Sequence, residues 1–170
     1  GTSVISNHTE NTPCIEAVIF GKIMDYGIKD ANNMGAAMAP AAAETIQSFL
    51  NDTNTNPEDY DLILTGDLGK VGSELLIDLL KKDFSIDISS VHNDCGLMIY
   101  DLENQDIHSG GSGCGCSASV VNSFIMKRLQ SKTLNKVLFV GTGALLSTTS
   151  SLQGESVPGI AHGVLLTSGE

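Results

Sequence analysis

Apolar and polar positions alternate along this chain with two periods, and the order in which they appear predicts an α/β fold. Residues 14–27 are rich in β-branched side chains, with Ile15, Ala17 and Ile19 alternating, and predict a strand. Residues 2–6, TSVIS, predict a short edge strand before it. Asn32 or Asn33 can cap a following helix, in which Pro40 falls in the first turns and Ile46, Phe49 and Leu50 share a face. Residues 60–69, YDLILTGDLG, predict a second strand closing in a glycine turn, and a helix opening at Ser73 ends on Lys81 and Lys82. A third strand is expected at 95–102, with 105–110 as its short partner. Beyond it, Val120, Val121, Phe124, Ile125 and Leu129 fall at helical spacing from Ser117 to about Ser131. A fourth strand over 136–147, broken by Gly141 and Gly143, a Ser- and Thr-rich loop, and a last strand at 160–168 complete the pattern. Alternation of this kind builds right-handed crossovers, so the expected architecture is a mixed five-stranded sheet with helices on its faces, in a single domain over residues 1–170.

Composition sharpens this reading. With 41% hydrophobic and 17% charged residues, 170 residues suffice for one domain with a real core and leave little room for long disorder. A net charge of −11 argues against a nucleic-acid partner. The charge is uneven: 18 of the 20 carboxylates lie before residue 110, whereas three lysines and Arg128 follow it against only Glu155 and Glu170. Four irregularly spaced cysteines make no disulfide framework and are expected as free thiols. No run approaches the roughly 18 apolar residues of a membrane span, and the first residues lack a secretory-signal pattern.

The stretch with most chemical content is HSGGSGCGCSASVVNSFIMKRL, residues 108–129. Gly110, Gly111 and Gly113 surround Cys114 and Cys116 where a helix begins, and a helix start turns unpaired N–H groups towards a carboxylate, a phosphate or a developing oxyanion. The same small residues also suit tight packing of a helix on a sheet. A zinc set of His92, Cys95, Cys114 and Cys116 has suitable ligand types, although its two halves need not converge. Cys114 as a nucleophile would need His108 or His162 as a base. Buried structural roles are expected for Cys14 and Cys95, and a hydrogen-bonded core position for His162. Asp67 either stabilises its turn or edges a pocket. The acidic excess reads as a solvated surface, and no EF-hand loop is present to bind calcium.

The runs MDYGIKDANNMGAAMAPAA, YDLILTGDLGKVG, DCGLMIYD, GGSGCGCSA and VLFVGTGALLSTTSSLQGESVPGIAH resemble the stage V sporulation protein AD family of the thiolase-like superfamily, over nearly the whole chain beyond Cys14. The resemblance implies a thiolase-like half-domain, the C-terminal of two halves packed about a pseudo-twofold axis. It implies a protein that binds dipicolinic acid (pyridine-2,6-dicarboxylate), alone or as its calcium chelate, for uptake into the developing spore, with a role in its release at germination. Expected partners are the N-terminal half, membrane proteins of the same operon and a second copy in a homodimer. The expected location is the periphery of the spore inner membrane. Where condensing enzymes carry a catalytic histidine, this chain reads Thr65, Gly66, Asp67, Leu68; where they carry asparagine, or thiolases histidine, it has Cys114; where thiolases carry an acid cysteine, it has Gly141, Thr142, Gly143. A glycine or leucine cannot stand in for a general base or oxyanion donor and still transfer protons, and on this resemblance the expected catalytic positions are vacant, so no catalytic residue, metal or cofactor is assigned. The ligand-binding residues expected are Asp67, Gly113, Cys114, Gly115, Cys116 and Ser117. An acyl-CoA-dependent acyltransferase acting through unusual residues, and an interaction scaffold for membrane partners, are the alternatives.

Overall fold

A computed structural model of the chain describes residues 3–7, 12–109 and 113–169. The strands β1 (Cys14–Phe20), β2 (Leu62–Thr65), β3 (His92–Asp94), β4 (Lys136–Ala144) and β5 (Gly159–Thr167) form one sheet in the order β1-β5-β4-β2-β3. β3, β2 and β4 run parallel; β5 is antiparallel to both β4 and β1. α1 (Met34–Thr53) joins β1 to β2 across the sheet, and the parallel strands β2, β3 and β4 are linked through α2 (Gly69–Phe84) and the later helices.

Each central strand divides its side chains between two cores. On one face Ile63, Leu138, Val140 and Leu165 pack against α1 and α2 through Ile46, Phe49, Leu76 and Leu80. On the other, Leu64, Val137 and Leu166 meet Cys95, Cys116, Val120, Ile125 and Leu129. The period of two along the strands therefore places helices on both sides. In α1 the residues from Ala36 to Ala43 are all buried, since small side chains let this helix lie close to both the sheet and α2. The approach is closest where Gly72 faces Gly35: a Cβ on Gly72 would stand 2.9 Å from Gly35 Cα.

Several expectations need correction. β1 stops at Phe20 because the chain at Gly21 presses on the core, where a Cβ would lie 1.9 Å from Ala161 O; only a lone bridge, Met24 to Gly159, follows. Residues 3–6 form no strand, and Thr2 lies outside the described residues. Pro40 lies inside α1 beyond its first turn, leaving the Ala36 carbonyl without its usual helical donor. The helix α2 opens at Gly69, one turn before Ser73, for a reason given below. Residues 95–102 are not a strand: β3 lies just upstream, and Cys95–Ile99 form a short helix, α3, capped by the Asp94 side chain accepting from Gly96 N at 3.0 Å. No strand forms at 105–109, and Gly110 lies outside the described residues. β4 runs unbroken through Gly141 and Gly143, which pair with His162 and Ile160. The loop after it holds a short helix, α6 (Thr148–Leu152), capped by Ser147.

The helix expected from Ser117 is a rod of three parts, α4 (Cys116–Val120), a π turn (Val121–Ile125) and α5 (Met126–Gln130). Its buried positions are Cys116, Val120, Ile125 and Leu129, in steps of four, five and four. The five-residue step coincides with the π turn, whose extra residue keeps both ends facing the sheet. Val121 and Phe124, which an unbroken α-helix would place with the core, are half-buried and exposed, and Phe124 stacks under Arg128 at 4.0 Å.

Candidate functional site

The carboxyl ends of the parallel strands carry the candidate site. After Thr65 the chain turns through Gly66, Asp67 and Leu68 into α2. A helix start leaves its first N–H groups without helical partners, and here three of them are met from elsewhere in the chain. Leu68 N and Gly69 N donate to the two oxygens of Asp94, at 2.8 and 3.0 Å, and Lys70 N donates to Ser109 O at 2.6 Å. The Asp94 carboxylate also accepts from Thr65 Oγ1 at 2.7 Å and from Gly96 N. Asp94 is fully buried. Burial pushes its carboxyl above the ordinary value, against the pull of the Thr65 hydroxyl and the two N–H groups of α2. This ligation explains why α2 begins at Gly69.

The turn in turn holds its neighbours. Gly66 N donates to Val140 O at 3.0 Å and Asp67 N to Thr142 Oγ1 at 3.3 Å. Asp67 accepts from Gly113 N at 2.8 Å on Oδ2, while Gly113 O accepts from Cys116 N at 3.0 Å. Gly113 has φ +81°, a conformation that favours glycine, and from it the chain enters α4.

These segments enclose a cavity of about 600 Å³. One side is the start of α1, with Asn33, Met34, Gly35 and Met38; another is the β2–α2 turn, with Asp67, Leu68 and Val71. Gly113, Cys114 and Ser117 form the third side, and Thr142, Gly143 and Ala144 at the end of β4 form the fourth. Among the described lining residues the ionisable groups are Asp67 and Cys114, with no lysine, arginine or histidine. The polar character of the cavity comes instead from asparagine, serine and threonine and from the N-terminal ends of α1 and of the α4 rod.

Of the residues expected at the site, Asp67, Gly113, Cys114 and Ser117 meet at this cavity. Gly115 does not line it; a Cβ there would meet nothing within 4 Å. Cys116 turns away and is buried beside Leu64 and Val120. Gly110 and Gly111 lie outside the described residues. Cys95 is buried, as expected, and burial pushes its thiol up; Cys14 is half-buried, with Sγ donating to Thr12 O at 3.2 Å. The suggested zinc ligands are dispersed between cavity and core, and no cluster of three His, Cys, Asp or Glu able to hold a metal occurs among the described residues. His162 is exposed rather than in the core: its Nδ1 accepts from Gly21 N at 3.1 Å, edge-on to Phe20. Asp94 and the α1 start were not singled out for the site, although an aspartate preceding the short run CGLMI is itself a capping signal.

The profile of the family described as Stage V sporulation protein AD matches residues 1–167. Stage V sporulation protein AD of Bacillus subtilis (strain 168) is 48% identical over 163 residues, 96% of this chain and 48% of the relative. The chain belongs to the stage V sporulation protein AD family. It spans about half the length of the curated relative it matches. Among solved structures, the tetronic acid condensing enzyme AbyA1 superposes with a TM-score of 0.52 at 11% identity, over 96% of this chain and 51% of that one. The 3-oxoacyl-[acyl-carrier-protein] synthase III of Aquifex aeolicus VF5 gives 0.49 at 12% identity, over 94% and 46%. The superposition on AbyA1 shows the fold, which is thiolase-like. No helix among the described residues is long and apolar enough to cross a membrane.

Proposed function

We propose that this chain is the C-terminal half of a two-half thiolase-like protein and supplies one side of a binding site for dipicolinic acid, serving its uptake into the developing spore and its release at germination. The observation that carries the reading is the cavity itself. The three segments that the family resemblance sets against catalytic positions of the enzymes, at Asp67, Cys114 and Thr142–Gly143, border one cavity, which supports the reading of an inherited reaction centre reused as a pocket. Its described lining lacks a histidine base; it offers hydroxyls, amides and helix N-terminal N–H groups that suit the carboxylates of a small aromatic diacid without a fixed cation, while its one carboxylate, Asp67, is engaged by Gly113 N. The apolar side chains Val18 and Phe20, 56% and 84% exposed, lie on the sheet face that also carries the α4 rod. That face is where the N-terminal half would pack. In this reading membrane proteins of the same operon receive the ligand at the spore inner membrane.

Calorimetric titration of the intact two-half protein with dipicolinate tests the proposal. Ser117→Asp is the informative variant: an acidic residue in the first turn of α4 favours the helix but places negative charge at the cavity. Affinity should fall at least about tenfold, as for one like charge added at short range. Unchanged affinity in a folded variant would remove this cavity from the site, and turnover of acyl-CoA donors would favour the acyltransferase reading instead.

A further inference from the structure

We propose that Asp94 is the positioning residue of this site: from the core it fixes the β2–α2 turn and, through Asp67 and Gly113, sets where Cys114 stands against the cavity. Asp94 itself does not line the cavity. Its carboxylate accepts four hydrogen bonds, two from the α2 start, one from the Thr65 hydroxyl and one from the α3 start. Leu68 and Gly69, which donate to it, directly follow Asp67 in sequence. The direction of Asp67 is thereby tied to a group in the interior.

The glycine-rich loop is in turn gripped by this same turn, at Gly113 N by the Asp67 carboxylate and at Ser109 O by Lys70 N. A shift of the turn therefore displaces Ser109 and Gly113 together, whereas a shift of those two alone leaves Asp94 with all its partners. The coupling runs from the core outward. A neutral amide at position 94 would place an NH2 group against Leu68 N–H or Gly69 N–H, donor facing donor, at a fully buried position. The turn can relieve that conflict only by moving.

The test uses the intact protein and two readouts: the alkylation rate of Cys114, followed by peptide mass spectrometry, and dipicolinate affinity. Cys114 is exposed, so its rate reports loop geometry whether or not dipicolinate is the ligand. Asp94→Asn should change the Cys114 rate and weaken affinity, each by about tenfold, as expected for loss of a charge-assisted hydrogen bond. Asp67→Asn should change the Cys114 rate in the same direction, and the double variant should go little further in that rate, because the two residues act in series. Asp61→Asn is the control for a merely structural loss, since Asp61 accepts from Asn135 N and Lys136 N at the start of β4; it should lower the melting temperature without moving either readout. Thr65→Val, close to isosteric, should shift the Cys114 rate two- to threefold in the same direction and carries the test if Asp94→Asn does not fold. The proposal is overturned if the Cys114 rate stays at wild type in a folded Asp94→Asn or in Thr65→Val, if Asp61→Asn moves it equally, or if the Asp94 and Asp67 effects multiply. The affinity arm rests on the dipicolinate reading. A changed Cys114 rate in a protein that never bound dipicolinate would reject that reading while upholding the positioning role.

Discussion

Lowering the pH from 7.5 to 4.5 should destabilise this protein through His92, by an amount the structure allows us to work out. His92 stands at the start of the edge strand β3, with Nδ1 3.2 Å from Ile63 O. A carbonyl can only accept, so Nδ1 carries the proton and Nε2 is left with a lone pair. Nε2 is buried and has no hydrogen-bond partner among the described residues. Protonating it would create a buried, unpaired donor and a charge cut off from water, and burial accordingly lowers the pKa from 6.5 to about 4. The unfolded chain therefore takes up the proton first as pH falls. Stability is fully present above pH 6.5 and is lost as pH falls from there to about 4, below which the loss is complete.

With these two values, linkage gives a loss of about 1.4 kcal/mol at pH 5.5 and about 2.6 kcal/mol at pH 4.5 relative to neutral pH. Other groups titrate over the same range, so the quantity to measure is a difference. Urea denaturation of the intact protein and of His92→Gln should be followed across this range. The stability gap between them should shift against the wild type by that amount as pH falls. A gap that stays level within about 0.5 kcal/mol would refute the argument, as would an NMR titration placing the His92 ring near its ordinary value.

Two further outcomes follow from the packing. Gly72→Ala should lower stability by about 1–3 kcal/mol, because the new methyl meets Gly35 Cα and Gly35 O at 2.9 Å, backbone that cannot swing aside as a side chain would; thermal denaturation checks it, and an unchanged midpoint would mean that the helices do not meet as described. Iodoacetamide at pH 8 should label Cys114 first and reach Cys95 and Cys116 only on unfolding, since the latter two are buried and burial pushes the Cys95 thiol up; early labelling of Cys116 would show that α4 is turned the other way.

How far the sequence could reveal the site depends on whether each feature was encoded locally. α1 and α2 were legible because long runs at helical spacing leave no rival reading, and β5 because its alternation meets the interior on both sides of the sheet. The run CGLMI was ambiguous: five apolar residues fit a strand or a helix equally well, and what decides is Asp94 capping Gly96 N while answering two N–H groups 25 and 26 residues away. The start of α2 is hidden from a local reading for the same reason, since its first turn is completed by that distant carboxylate rather than by a nearby cap.

The Cys-Gly-Cys run shows the opposite case, in which the information was present locally. Cys116 and Val120 are four residues apart, so a helix that buries one buries the other, and Cys114 must then lie on another side. Phase alone separates the core thiol from the cavity thiol. Phase could not place the next apolar residues, because the π turn makes the step from Val120 to Ile125 five residues long and carries Phe124 outward. Holding that extra residue costs helical regularity, and the rod keeps it while burying Cys116 and Val120 at one end and Ile125 and Leu129 at the other. The helix start facing the cavity and the packing of its far end are thereby satisfied together, which an unbroken α-helix with these apolar positions would not achieve.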